Sequence, residues 1–185
     1  MIEFVSGDIF ESKTQAIVNP VNCVGVMGAG LAKQFKEKYP DYYLQYKILC
    51  DEKVIKPGTI WLCKNGEKYI VSFATKNHWK NKSELIWIKL GLMQLRDAII
   101  IKEIHSIAIP ALGCGLGGLY WIDVKELILE QLCDVDARIF VYEDENQKTD
   151  WALYQLTKIS QEEGLFSLGG RYPKWGKNGK VWVSK

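Results

Sequence analysis

The chain lacks most of what would mark it as a secreted, disulfide-built or membrane protein. Its five cysteines (23, 50, 63, 114 and 133) are odd in number and form no C-x-x-C pair, which argues against a disulfide framework and against a zinc site of closely spaced thiols. No apolar run approaches the roughly 20 residues that a membrane-spanning helix needs. The first residues, MIEFVSGDIF, contain no basic segment followed by an apolar core, so no secretory signal is expected and the expected setting is the cytoplasm. Histidine is scarce, with only His78 and His105, so chemistry based on histidine has few candidates. There is no internal repeat and no low-complexity linker. What is present is an ordinary globular balance: 185 residues, 48% hydrophobic and 25% charged. A chain of this size buries roughly 70% of its unfolded surface and needs no covalent staple.

The net charge of +2 hides an asymmetry. Residues 1–144 carry 17 basic against 18 acidic residues, and residues 145–185 carry 7 against 4. The last fifteen, RYPKWGKNGKVWVSK, hold five cations, no acid, and Tyr172, Trp175 and Trp182 between them. Cations with interleaved rings suit single-stranded nucleic acid; a solvated basic tail, or a hairpin turning at Asn178-Gly179, has the same composition. The chain therefore divides into a domain over 1–144 and a basic C-terminal extension over 145–185, with a helix over 150–163 and an end for which a hairpin is one reading.

Hydrophobic patterning places strands at 2–5, 15–19, 59–63, 68–74, 106–110 and 137–142. Helices are expected at 29–39 (stopped by Pro40), 41–50, 84–101 and 122–133. Asn65-Gly66 marks a hairpin. In the long helix, Leu85, Ile88, Leu92, Leu95 and Ile99 share one face. In the next, Val124, Leu127, Ile128 and Leu132 point inward. Alternating strands and helices predict an α/β sandwich on a mostly parallel or mixed sheet.

Two glycine-rich loops carry the functional signal. The first runs from Asn19 through Asn22 to Gly28-Ala29-Gly30, and the second is Gly113-Cys114-Gly115-Leu116-Gly117-Gly118. Each follows a strand and opens a helix. Such loops expose backbone N–H groups that attract anionic oxygens, and two at adjacent strand ends bracket one crevice suited to a diphosphate. The second loop also satisfies G-x-G-x-x-G, the dinucleotide-binding fingerprint. However, the acid that should close the next strand is missing, since Asp134 and Asp136 precede ARIFVY.

These motifs resemble those of the macrodomain family: Gly7-Asp8-Ile9, NPVN-(x)5-GAGLA and GCGLGGL, over roughly residues 1–143. The block Phe73-Ala-Thr-Lys76-Asn-His78-Trp79-Lys80 makes the likeness greatest to DarG-type antitoxin macrodomains. The resemblance implies a three-layer α/β/α macrodomain with a central mixed sheet that binds ADP-ribose and, without metal or cofactor, hydrolyses it from thymidine in DNA. Its partners would be ADP-ribosylated single-stranded DNA and a DarT-like toxin, with the protein itself a monomer away from membranes. It implies that Asp8 and Ile9 meet the adenine, with Tyr142 stacking on it. Asn19, Gly28, Ala29, Gly30 and Leu31 would line the ribose and phosphates, and residues 113–118 would wrap the diphosphate. Asn22, facing the distal ribose, and Lys76, the catalytic lysine, would be the catalytic residues. One departure stands out: protein-directed relatives pair that lysine with an aspartate where this chain has Gly117.

Alternatives remain at this point. Lys76 also reads as a solvated loop lysine. A lysine attacking C1″ as a neutral amine needs its pKa lowered from about 10.4 by burial or nearby cations, and Lys80, Lys82 and His78 are candidates for those cations. His78, Trp79, Lys80 and Lys82 would stack on and charge-pair with the DNA strand, or Trp79 would be buried as an anchor. Cys114 reads as packing. Hydrolysis of ADP-ribose from protein carboxylates, and a non-catalytic ADP-ribose reader, are the competing functions.

Overall fold

The computed structural model describes residues 1–162; the basic stretch of 171–185 and its expected hairpin lie outside the described residues. Residues Met1–Asp150 form one compact unit. Its strands are β1 (Ile2–Val5), β2 (Ala16–Asn22), β3 (Ile60–Asn65), β4 (Lys68–Lys76), β5 (Ser106–Pro110) and β6 (Arg138–Tyr142). The helices are α1 (Gly30–Lys38), α2 (Pro40–Asp51), α3 (Leu85–Ile101) and α4 (Trp121–Leu132), with one 3-10 turn at Ile9–Glu11. A fifth helix, α5 (Glu145–Glu162), begins five residues before the expected start at 150; Asp144 accounts for this, because its carboxylate accepts the Gln147 N–H in N-cap fashion. In the second unit, which begins at Trp151, the rings of Trp151 and Tyr154 pack 5.6 Å apart on this helix.

The sheet order is β1-β6-β5-β2-β4-β3, parallel throughout except for β3, which returns antiparallel to β4 through the Asn65-Gly66 turn. Both faces are apolar, as a sheet covered on both sides requires. Ala16 and Val18, Val71 and Phe73, Ile107 and Ile109, and Ile139 and Val141 face α3 and α4. The alternate residues Ile17, Ile70, Ala74 and Ala108 face the α1–α2 layer, where Phe35, Tyr42, Tyr46 and Cys50 are buried. The period-two switch of partners follows from strand geometry. Burying each such large aliphatic side chain stabilises by about 1.5–3 kcal/mol. The helix α3 lies so close to the sheet that a Cβ on Gly91 would sit 2.3 Å from the Phe73 ring, so only glycine permits this approach.

Several local expectations need correction. Leu85 is exposed, because the inward face of α3 starts one turn later at Ile88. Pro40 does not merely end α1; it occupies the first turn of α2, where its missing N–H costs nothing. Strand β2 continues to Asn22, so Asn19-Pro-Val-Asn22 is strand and not loop. A proline is tolerated there because β2 pairs with β5 only at Ala16 and Ile17, leaving Pro20 without a ladder bond to supply on that side.

Candidate functional site

The parallel strands deliver their carboxyl ends to one edge of the sheet, where open α/β folds bind ligands. There Asn22 and Lys76 are register partners on adjacent strands, just past an irregularity between Val21 and Asn22. Above them lies a cavity of about 580 Å³. Its lining includes Asn22, Gly28, Ala29, Gly30 and Leu31 from one side, Gly113, Gly115, Leu116 and Gly117 from the other, and Lys76 and Trp79. The structure thus brings the two glycine loops and the lysine together.

The first loop presents amides. Helix α1 has Ala29 at its N-cap with no capping side chain, and its first internal bond is Lys33 N–H to the Ala29 carbonyl. The N–H groups of Gly30, Leu31 and Ala32 therefore find no acceptor among the described residues, and the positive end of the helix faces the cavity. Asn22 shapes this loop from below: its Nδ2 donates to the Val26 carbonyl at 2.6 Å, and its Oδ1 accepts from the Val24 and Val26 N–H groups. A carboxamide so engaged positions the loop, and the residue also lines the cavity.

The second loop is folded tightly on itself. Leu119 N–H donates to the Gly113 carbonyl, Gly118 N–H to that of Gly115, and Ser83 N–H to that of Gly117. The N–H groups of Gly115, Leu116 and Gly117 have no acceptor among the described residues. A Cβ at position 117 would lie 2.1 Å from the Gly113 carbonyl oxygen. No side chain fits there, which gives the missing aspartate a steric cause.

Between the loops, the Lys76 Nζ donates to the Leu116 carbonyl oxygen. Burial holds its pKa below the ordinary lysine value. Desolvation supplies that shift, in place of the expected neighbouring cations. At the rim, Trp79 is 49% exposed, which overturns the buried-anchor reading. His78 stacks on it at 5.4 Å, the Lys80 ammonium lies 5.0 Å from its ring centre, and His78 Nδ1 accepts the Lys80 N–H. Lys82 lies beside Gly118, with its Cδ 4.0 Å from that glycine's Cβ direction.

Other expected residues lie outside the cavity lining. Asp8 caps the 3-10 turn by accepting the Phe10 N–H. Ile9 is buried in the α1–α2 core, against which Tyr142 also packs. Asn19 is fully buried, its Nδ2 donating to the Tyr42 hydroxyl. The Cys114 thiol points to the Leu112 carbonyl, and burial, with Asp123 and Asp144 adding, pushes its pKa up to about 12, consistent with packing. Among the described residues, no three His, Cys, Asp or Glu side chains cluster as metal ligands.

One feature near Tyr142 escaped sequence reasoning. Lys125 and Glu143 form a buried ion pair at 2.9 Å, with Trp121 Nε1 donating to the same carboxylate oxygen and the Lys125 ammonium 3.7 Å from the Phe4 ring centre. Only the helical spacing of Trp121 and Lys125, four residues apart, hinted at a shared face.

The Macro domain family model matches residues 18–128. A DNA ADP-ribosyl glycohydrolase of Mycobacterium tuberculosis is 42% identical over 147 residues, covering 76% of this chain and 42% of that protein. One from Thermus aquaticus is 40% identical over 186 residues, covering 96% and 52%. A DNA ADP-ribosyl transferase–DNA ADP-ribosyl glycohydrolase fusion protein of Thermosipho africanus is 36% identical over 160 residues, covering 76% and 41%. The solved structure of Thermosipho africanus DarTG in complex with ADP-ribose superposes with a TM-score of 0.74 at 36% identity, covering 78% of this chain and 42% of that one. The chain spans about half the length of the curated relatives it matches.

Proposed function

The chain belongs to the macrodomain family, and from that premise we propose that it is a DNA ADP-ribosyl glycohydrolase releasing ADP-ribose from thymidine. The observation that carries the reading is the Lys76 amine, which reaches the Leu116 carbonyl across a cavity walled by two sets of unengaged amides. The relatives' activity and the ADP-ribose in the Thermosipho complex support the substrate.

In this reading the diphosphate lies between the two loops and the distal ribose sits over Lys76. The neutral amine attacks C1″, the bond from C1″ to the thymine nitrogen breaks, and the base leaves with a proton from the attacking nitrogen. The sugar ring opens to an iminium on Nζ. Water adds at C1″, the C1″–Nζ bond breaks, and free ADP-ribose and the amine are regenerated. The step needs an unprotonated lysine, and burial shifts the group in that direction. Asn22 contributes by fixing the first loop. Asp8, Ile9 and Tyr142, at the ends of β1 and β6, would take the adenine, and Asn19 would support that wall from the core.

The exposed Trp79 with stacked His78 offers a platform for a base of the modified strand, with Lys80 and Lys82 toward its phosphates. The physiological role follows as an antitoxin acting against a DarT-like transferase, in line with the fusion of the two activities in Thermosipho. The protein would act as a cytoplasmic monomer, without metal or cofactor. Incubation with ADP-ribosylated single-stranded oligonucleotide and, separately, with ADP-ribosylated protein tests the reading. Release from the oligonucleotide, insensitive to chelator and lost in Lys76→Ala, is expected. Release from protein alone would instead favour the carboxylate hydrolase, and binding without release from either would favour a reader.

A further inference from the structure

At the rim of the cavity, strand β4 carries one residue more than its neighbour β2. Val21 pairs with Ala74, but the next residue, Asn22, pairs with Lys76, so Thr75 is unmatched in the ladder. An extra residue of this kind is a β-bulge, a feature that re-aims side chains and gathers beside functional sites. Its effect shows in the direction of Lys76. Alternation along the strand puts residue 76 on the face of Ile70 and Ala74, which packs against α1 and α2. The Lys76 amine instead reaches the Leu116 carbonyl of the second glycine loop, whose flanking Leu112 and Leu119 belong to the core on the opposite face. Hydroxyls hold the bulge on both strands. That of Thr75, a buried residue, donates to the Val21 carbonyl at 3.4 Å, and that of Tyr46, fully buried on α2, donates to the Asn22 carbonyl at 2.6 Å. Beyond the bulge, the Cys23 N–H donates to the Asn77 carbonyl and the Cys23 thiol to the Lys76 carbonyl, which fastens the shifted register.

We infer that Thr75 and Tyr46 are positioning residues for the reaction: their hydroxyls lock the bulge that turns Lys76 away from the α1–α2 face and toward the second loop. This inference rests on the proposed reading of Lys76 as the nucleophile and adds what aims it. Neither hydroxyl takes part in a bond that forms or breaks; both act through the main chain of β2 and β4. A misplacement of about 1 Å at a reacting atom costs about a hundredfold in rate. Loss of either hydroxyl therefore bears on the rate of release and leaves the hold on ADP-ribose in place.

The test is single-turnover release of ADP-ribose from modified single-stranded oligonucleotide by the full chain, at protein concentrations up to saturation. It compares the unaltered protein with Thr75→Val, Thr75→Ser, Tyr46→Phe and Lys76→Ala, and calorimetry gives the ADP-ribose affinity of each. Valine keeps the shape of threonine without the hydroxyl, and serine keeps the hydroxyl. In Thr75→Val and Tyr46→Phe the saturating rate is expected to fall about fivefold or more, with ADP-ribose affinity unchanged within about twofold, the pattern of an interaction that serves the transition state alone. Thr75→Ser should keep most of the rate. A smaller fall in either hydroxyl-free variant overturns the inference, as does a Thr75→Ser variant as slow as Thr75→Val. An affinity loss that matches the rate loss also overturns it, and assigns the hydroxyls to binding or packing. If Thr75→Val does not fold, Tyr46→Phe decides by the same criteria; failure of both to fold overturns the inference by assigning the bulge to stability. Full release by Lys76→Ala overturns the reading of Lys76 itself, a result distinct from hydroxyl variants that stay active while Lys76→Ala does not.

Discussion

Replacing Gly117 by alanine tests the steric account of the second loop. The added Cβ would lie 2.1 Å from the Gly113 carbonyl oxygen and 2.4 Å from Ser83 Oγ. The first neighbour is backbone and cannot rotate away, so the loop itself must move. Overpacking of this kind costs about 1–3 kcal/mol, and the moving segment carries the Gly117 carbonyl held by Ser83 and the Leu116 carbonyl held by Lys76. For a unit of this size each kcal/mol corresponds to about 2–4 °C, giving an expected fall in melting temperature of about 2–12 °C. The functional effect should be larger than the thermal one, because a surface loop relaxes locally before the core does. ADP-ribose affinity, measured by titration, should fall at least tenfold. Gly117→Asp should behave as badly and should confer no release of ADP-ribose from protein carboxylates, although it supplies the acid found in protein-directed relatives. An alanine variant with unchanged melting temperature and unchanged affinity would refute the argument that backbone crowding dictates glycine here.

Lys76→Ala should abolish release from ADP-ribosylated oligonucleotide while leaving ADP-ribose affinity within a few-fold; Lys76→Arg should be equally inactive, since a guanidinium stays protonated. The pH profile of single-turnover release should rise as Lys76 loses its proton, with a midpoint below the ordinary lysine value of about 10.4, because burial disfavours the charged form in the folded protein; a midpoint at or above that value would contradict the burial argument. Trp79→Ala should weaken binding of modified oligonucleotide by about 1–3 kcal/mol with little change toward free ADP-ribose, as read by fluorescence anisotropy and calorimetry. Lys125→Met strands the Glu143 carboxylate in the interior and should cost about 3–5 kcal/mol in chemical denaturation.

The layers were legible because apolar periodicity is strong in α3 and in the strands, where each residue's partner layer follows from parity alone. The two loops were legible because glycines at strand ends have few other uses, and Lys76 because of its surrounding block. Three things were hidden, each for a physical reason. The loop-holding contacts of Asn22 were hidden because sequence cannot show that Val24 and Val26 fold back onto its carboxamide. Trp79 is half exposed although tryptophan is usually buried; its two polar neighbours, His78 and Lys80, both pack against its ring and offset the exposure. Lys125 is buried on a helix whose other inward residues are apolar, and the acid that balances it lies 18 residues away beyond a strand. Long-range pairing of that kind leaves no local trace.

The placement of Lys76 beside Asn22 is carried by a nine-residue strand whose far end follows the Asn65-Gly66 turn. The strand spans roughly 26 Å from the Lys68 to the Lys76 backbone at 3.3 Å per residue. Deleting or inserting one residue inside β4 would invert the parity of every side chain beyond it and send the amine into the wrong layer. The same insertion at the turn would leave the parity intact, so a fluorophore, affinity tag or surface anchor belongs there.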